Sequence, residues 1–113
     1  MATVKMMQGD SYPVFVALNM KDTRDVITPD LVSDVEISVG ESLRKTYSAG
    51  ETLYDSTERE WYFIPTQEET LAMEPDSYEV QARVKFPNGS YSPVKGIKVG
   101  TIIILDANSS EVI

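Results

Sequence analysis

The stretch SYEVQARVKFPNGSY, from Ser77 to Tyr91, carries the clearest structural signal in this chain. Between Tyr78 and Phe86 every second residue is apolar. The residues that alternate with them are Glu79, Gln81, Arg83 and Lys85. Because successive side chains of a strand point to opposite faces, this alternation predicts a strand with one buried and one solvated face. Asn88-Gly89 follows, and this pair readily adopts the positive φ angles of a tight hairpin turn, so a return strand is expected.

Similar short strands are predicted along the rest of the chain, separated by polar turns or by turns that contain Gly or Pro. They are expected at Thr3–Met7, Ser11–Asn19, Asp34–Gly40, Leu43–Tyr47, Leu53–Tyr54, Glu58–Pro65 and Thr101–Leu105. Gly96 and Gly100 are candidate positions for β-bulges. Thr66 and Glu69 have the spacing of a capping box, which predicts a short helical turn near residues 67–73.

This pattern of short strands, turns and one helical turn predicts an all-β fold, a two-layer antiparallel β-sandwich. An immunoglobulin-like topology is the leading hypothesis, and a small barrel is the alternative. A single domain is expected over residues 1–113, with its core at about 3–105 and a polar C-terminal tail at 106–113.

The composition excludes several classes of function. The 113 residues carry a formal net charge of −8, which argues against nucleic acid and anionic membranes as partners. No apolar run is long enough to span a bilayer, and no signal peptide is recognised at the N-terminus. Cysteine and histidine are both absent, so the commonest metal ligands and the commonest general base are missing.

Carboxylate pairs are therefore interpreted as solvated surface. Glu58 and Glu60 would share one face of a strand, but the sequence offers neither a histidine partner nor a sign of a pocket. The prediction is a protein that is not an enzyme and that has no cofactor and no metal site.

Two predicted strands are apolar on both sides, which is unexpected in a sheet that has one face in contact with water. Residues 58–65 carry Trp61 and Phe63 on one side and Tyr62 and Ile64 on the other, which is typical of a strand that is central or covered by another chain. The run 102–105 is apolar throughout and would be an aggregation hazard if half of it faced water. We therefore expect a protein–protein interface. Its predicted residues are Trp61, Tyr62, Ile103, Leu105 and Ile113.

Several motifs occur in an order that resembles a known family. They are Gly9-Asp10, the alternating strand Val35–Val39, the aromatic strand Trp61–Ile64, the Thr66-x-x-Glu69 turn, and Ser77-Tyr78-Glu79-Val80 with a later Phe86-Pro87-Asn88-Gly89. Together they resemble the N-terminal immunoglobulin-like domain of phage baseplate upper proteins and related small virion proteins. The chain departs from the family pattern where Asp76-Ser77 replaces the usual glycine before the tyrosine.

The resemblance implies a non-enzymatic structural subunit of a phage or prophage virion, in the tail or baseplate, neck or head. Such a subunit is made in the cytoplasm of the bacterial host and resides in the virion. Its partners would be other virion structural proteins and further copies of itself, as a homo-oligomer. The alternative hypothesis is a β-sandwich module that binds carbohydrate or a host surface through exposed aromatic residues.

Overall fold

The computed structural model of the chain describes residues 2–20, 24–88 and 91–106. Their strands are β1 (Ala2–Met7), β2 (Val14–Val16), β3 (Asp34–Val39), β4 (Leu43–Thr46), β5 (Leu53–Asp55), β6 (Glu60–Phe63), β7 (Asp76–Lys85) and β8 (Tyr91–Leu105). Helix α1 (Gln67–Ala72) connects β6 to β7, and a 3₁₀ turn at Pro29–Leu31 precedes β3. Over these described ranges, no helix is long and apolar enough to cross a membrane.

The strands form two sheets that pack face to face. The large sheet has the order β1-β8-β7-β3-β4, and the small sheet has the order β2-β6-β5. Inward-facing residues of both sheets meet in one core, in which Ile37 of β3 and Trp61 and Phe63 of β6 are fully buried. The prediction of an all-β, two-layer fold is confirmed at this level.

Strand β7 forms where the alternating stretch predicted it. Val80, Ala82 and Val84 face the core, and β7 pairs with β8 in antiparallel register from Asp76↔Ile104 to Lys85↔Tyr91. The connection between the strands spans residues 86–90, of which Gly89 lies outside the described residues, so the predicted Asn-Gly turn stays a prediction.

A β-bulge interrupts the pairing of β7 with β8 next to Gly100. Val80 pairs with Gly100, whereas the next residue, Gln81, pairs with Lys98, so Val99 is the extra residue in β8. The bulge predicted near Gly100 is therefore present.

The pairing of β1 with β8 corrects the sequence prediction, because these two strands are parallel and the sandwich is not wholly antiparallel. Their register runs from Ala2↔Gly100 to Met7↔Leu105. The two strands come from opposite ends of the chain, so no short hairpin imposes an antiparallel direction. The parallel register places Met6 beside Ile104, and both side chains are buried in the core.

Helix α1 is fastened to the turn that follows β1. The capping box at Thr66 and Glu69 is formed as predicted. The buried Thr70 hydroxyl accepts a hydrogen bond from Gly9 N–H (2.9 Å) and donates one to the carbonyl of Asp10 (2.8 Å). Gly9 has φ +89°, a backbone conformation that favours glycine, although a Cβ there would meet the side chain of Leu71 at an ordinary contact distance of 3.5 Å.

An ion pair attaches α1 to the edge of the large sheet. The Nζ of Lys45 on β4 lies 2.6 Å from a carboxylate oxygen of Glu69 and 3.9 Å from one of Glu51. Partial burial raises the pKa of Glu69, but the hydrogen bonds from Lys45 and from the Thr66 backbone and the positive charge of Lys45 outweigh it. The net result is a pKa below the usual value of 4.5.

Candidate docking surface

The outer face of the small sheet carries an apolar row that crosses all three strands. Phe15 of β2 pairs with Tyr62 of β6, and Tyr62 pairs with Leu53 of β5. The neighbours of Phe15 and Tyr62 along the chain point into the core, so alternation directs these two side chains outward. The row is therefore a consequence of strand register and lies on the side of the sheet away from the core.

The side chains of this row form a partly exposed platform. The rings of Phe15 and Tyr62 are stacked, with centroids 5.0 Å apart and an interplanar angle of 28°. Leu53 is 42% exposed, and Ile64, which follows the inward-facing Phe63, is 49% exposed. We refer to Phe15, Leu53, Tyr62 and Ile64 as the small-sheet face.

Acidic side chains border the small-sheet face at one end. Asp55 of β5 lies directly opposite Glu60 of β6, one row further along the same side of the sheet. Cross-strand like charges destabilise a sheet when nothing neutralises them. Within the described parts of the chain, no lysine or arginine lies within salt-bridge distance of either carboxylate. Arg59, in the connecting turn, is exposed and has a positive φ of 58°.

The outer face of the large sheet has the opposite charge arrangement. Asp34 pairs across the strands with Lys85, and Glu36 pairs with Arg83. The guanidinium of Arg44 also lies 3.7 Å from the carboxylate of Glu36. Acids thus lie opposite bases across the strands of this sheet, as expected of solvated sheet surface.

Trp61 was predicted to lie at an interface, but the structure places it in the core. Its side chain is fully buried, its indole N–H donates a 2.8 Å hydrogen bond to the carbonyl of Ile27, and the rings of Tyr47 and Tyr54 each lie 5.2 Å away. Trp61 is thus the centre of the core beneath the small sheet. Its burial also removes it as an exposed platform for a sugar ring.

The remaining predicted interface residues do not form one surface. Tyr62 lies on the small-sheet face, whereas Ile103 and Leu105 lie on the outer side of the large sheet. Leu105 is 45% exposed beside Met7 of β1, and Ile103 is half-buried. Ile113 is outside the described residues.

Sequence reasoning missed Phe15 and Leu53 as members of the surface. The alternation in residues 12–18 does place Phe15 on the face opposite Val14 and Val16, so part of the signal was present. What the sequence does not contain is the pairing of β2 and β5 with β6, which brings residues 15, 53 and 62 into one row.

Metal-binding side chains do not gather into a candidate site in the part of the chain that the structure describes. No set of three or more His, Cys, Asp or Glu residues there could hold a metal ion. No protein-family model matches the chain, and searches of curated proteins and of solved structures find no match. The small-sheet face, with its partly exposed apolar row and its opposed carboxylates, is the candidate functional site.

Proposed function

We propose that this protein is a non-enzymatic, immunoglobulin-like binding module that docks onto a protein partner through the small-sheet face. The observation that carries the proposal is the row of Phe15, Tyr62 and Leu53 across the outer side of the small sheet. Stacked aromatic residues and aliphatic residues at a partly exposed surface are typical of the centre of an interface. Burial of the small-sheet face by a partner would remove apolar surface from water, and this removal is the main driving force of association.

The order of the strands supports the immunoglobulin-like part of the proposal. In a variable-type immunoglobulin domain, the strands of one sheet lie in the order G-F-C-C′ and those of the other include B-E-D. The letters follow the order of the strands along the chain. The chain offers β8-β7-β3-β4 and β2-β6-β5 in the corresponding positions. The small barrel considered as an alternative would need a single closed sheet, and the described strands form two.

A hydrogen bond at the start of β7 supports the same assignment. The hydroxyl of Tyr78 donates to the backbone carbonyl of Glu74, four residues earlier, at 2.6 Å. A tyrosine near the start of strand F that bonds back to the preceding corner is a hallmark of immunoglobulin-like sandwiches. The chain departs from antibody domains in that its buried Trp61 lies on β6 and in that it has no cysteine.

The setting that we propose is a phage or prophage virion, in which the module is a structural subunit. The support for this setting is the resemblance of the motif order to the immunoglobulin-like domain of baseplate upper proteins. The docking surface is consistent with such a role because a subunit of an assembly acts by contact alone. Other virion proteins are the proposed partners of the small-sheet face.

Particles purified from an induced culture of the bacterium that carries the gene provide the test. We expect the protein among the particle proteins by mass spectrometry. A Leu53→Thr/Tyr62→Thr double variant should fold, as checked by circular dichroism, but be lost from the particles. A Ser77→Thr/Glu79→Thr variant on the large sheet is the matched control and should be retained. A wild-type chain that is absent from particles and stays monomeric with purified particle proteins would refute the proposal.

A further inference from the structure

We infer that the small-sheet face selects a partner that presents lysine or arginine beside apolar side chains, and that it disfavours a second copy of this chain. This inference rests on the docking function proposed above and specifies the chemistry of the partner. It follows from the charges at the border of the face together with its aromatic content.

At the border of the small-sheet face, the carboxylates of Asp55 and Glu60 oppose each other across two strands. In the large sheet, an acid on one strand faces a base on the next, as in Asp34↔Lys85, whereas here two acids face each other. Asp55 accepts hydrogen bonds from the backbone N–H groups of Thr57 and Glu58, which orient its carboxylate but do not cancel the charge. A cation supplied by a partner could contact both carboxylates and would reduce the repulsion between them.

Aromatic rings lie next to these carboxylates on the same side of the small sheet. Tyr62 lies two residues from Glu60 on the same side of β6, and its ring is stacked with that of Phe15. A guanidinium or ammonium group is attracted to aromatic faces as well as to carboxylates. An arginine or lysine of a partner could therefore contact the ring of Tyr62 and the carboxylate of Glu60 together.

A second copy of the chain is a poor match for this face. The protein has a net charge of −8, and the residues of the 55–60 turn include three acids and one base. Two copies that met through this face would each carry the same net negative charge and the same acidic border, which opposes association. The face therefore favours a heterologous, basic partner.

Three short synthetic peptides test this chemistry against the ¹⁵N-labelled chain by NMR titration. One alternates leucine with arginine, one alternates leucine with glutamate, and one alternates serine with arginine. We expect saturable shifts of the amides of Phe15, Leu53 and Tyr62 only with the leucine–arginine peptide. An Asp55→Asn/Glu60→Gln variant should bind it about five- to tenfold more weakly.

The matched control is Glu41→Gln/Glu79→Gln, which removes the same charge from exposed positions away from the small sheet and should leave the affinity unchanged. Equal weakening by the control, or equal binding of the leucine–glutamate peptide, would overturn the inference. Self-association that is lost in Leu53→Thr/Tyr62→Thr would also overturn it but would uphold the docking function. If the face binds neither a peptide nor a second copy, and the chain is also absent from particles, both the inference about the partner and the proposed docking function are refuted.

Discussion

The outer faces of the two sheets differ in the arrangement of their charged and apolar side chains. On the large sheet, acids and bases alternate across neighbouring strands, as in Asp34↔Lys85 and Glu36↔Arg83. On the small sheet, an apolar row occupies the centre and two acids face each other at its border. The inner faces of both sheets are equally apolar and meet in one core.

This contrast separates the residues that hold the fold from those that are available for binding. The outer face of the large sheet exposes Met7 and Leu105 at its β1–β8 edge, but its acids face bases across the strands. The outer face of the small sheet combines an apolar row with two acids that face each other. Because both features occur on the same small sheet, cover by a partner would satisfy them together.

The two sides of β6 should differ strongly in their contribution to stability. Trp61→Ala removes a fully buried indole and its hydrogen bond, and we expect a loss of about 3–5 kcal/mol in the free energy of unfolding. Tyr62→Ala, on the outer side, should cost only about 1 kcal/mol or less through the lost contact with Phe15. Urea unfolding measures both. A loss for Tyr62→Ala as large as that for Trp61→Ala would mean that the small-sheet face is part of the structural core.

The two fully buried threonines should respond in opposite directions to the same substitution. Thr70→Val breaks the hydrogen bonds with Gly9 and Asp10 that fasten α1 to the turn after β1, and about 2–3 kcal/mol should be lost. Thr52, which precedes β5, has a buried hydroxyl with no hydrogen-bond partner among the described residues, so Thr52→Val should be neutral or stabilising by up to about 1 kcal/mol. Thermal unfolding of the two variants in parallel checks this, and equal destabilisation would contradict it.

The ion pair of Lys45 with Glu69 should make stability depend on pH in the acid range. Because the pKa of Glu69 is lowered in the folded state, the ionised carboxylate stabilises the fold above the unfolded pKa of about 4.5. This contribution is lost as the pH falls through the folded pKa. Glu69→Gln should therefore be less stable than wild type at pH 7, by about 1 kcal/mol, and the difference should shrink toward pH 3. A difference that stays constant between these pH values would exclude the ionised pair as its cause.

Charge reversal should have opposite signs on the two outer faces. Glu60→Lys places a cation opposite Asp55 and should stabilise the isolated chain by about 0.5 kcal/mol. Glu36→Lys places a cation opposite Arg83 and beside Arg44, and should destabilise it by a similar amount. Denaturant midpoints measured at low salt resolve the two effects. The same sign for both substitutions would show that the charge contrast between the faces has no energetic meaning.

The sequence allowed the local features of the fold to be predicted because their causes are local. The alternation from Tyr78 to Phe86 predicts β7 and its buried face, and the spacing of Thr66 and Glu69 predicts the capping box. The parallel pairing of β1 with β8 has no local signal, since it depends on how the two ends of the chain meet across the sheet.

The candidate surface could be predicted only in part for the same reason. Because β6 is apolar on both sides, its outer side is expected to be covered by another element or chain. The sequence pattern does not show which of the two sides faces the core. Trp61 was expected at an interface and lies in the core, whereas Tyr62 lies on the exposed side. Phe15 and Leu53 join Tyr62 only through the register of three strands that are far apart in the sequence.

Photo-crosslinking from matched positions on the two outer faces tests the central claim most directly. Benzoylphenylalanine would replace Leu53 on the small sheet or Glu79 on the large sheet, and cells that express the gene in its native context would be illuminated. We predict a discrete covalent adduct with one partner protein from position 53 and none from position 79. Adducts of equal yield from both positions, or an adduct from position 79 alone, would contradict the assignment of the small-sheet face as the docking surface.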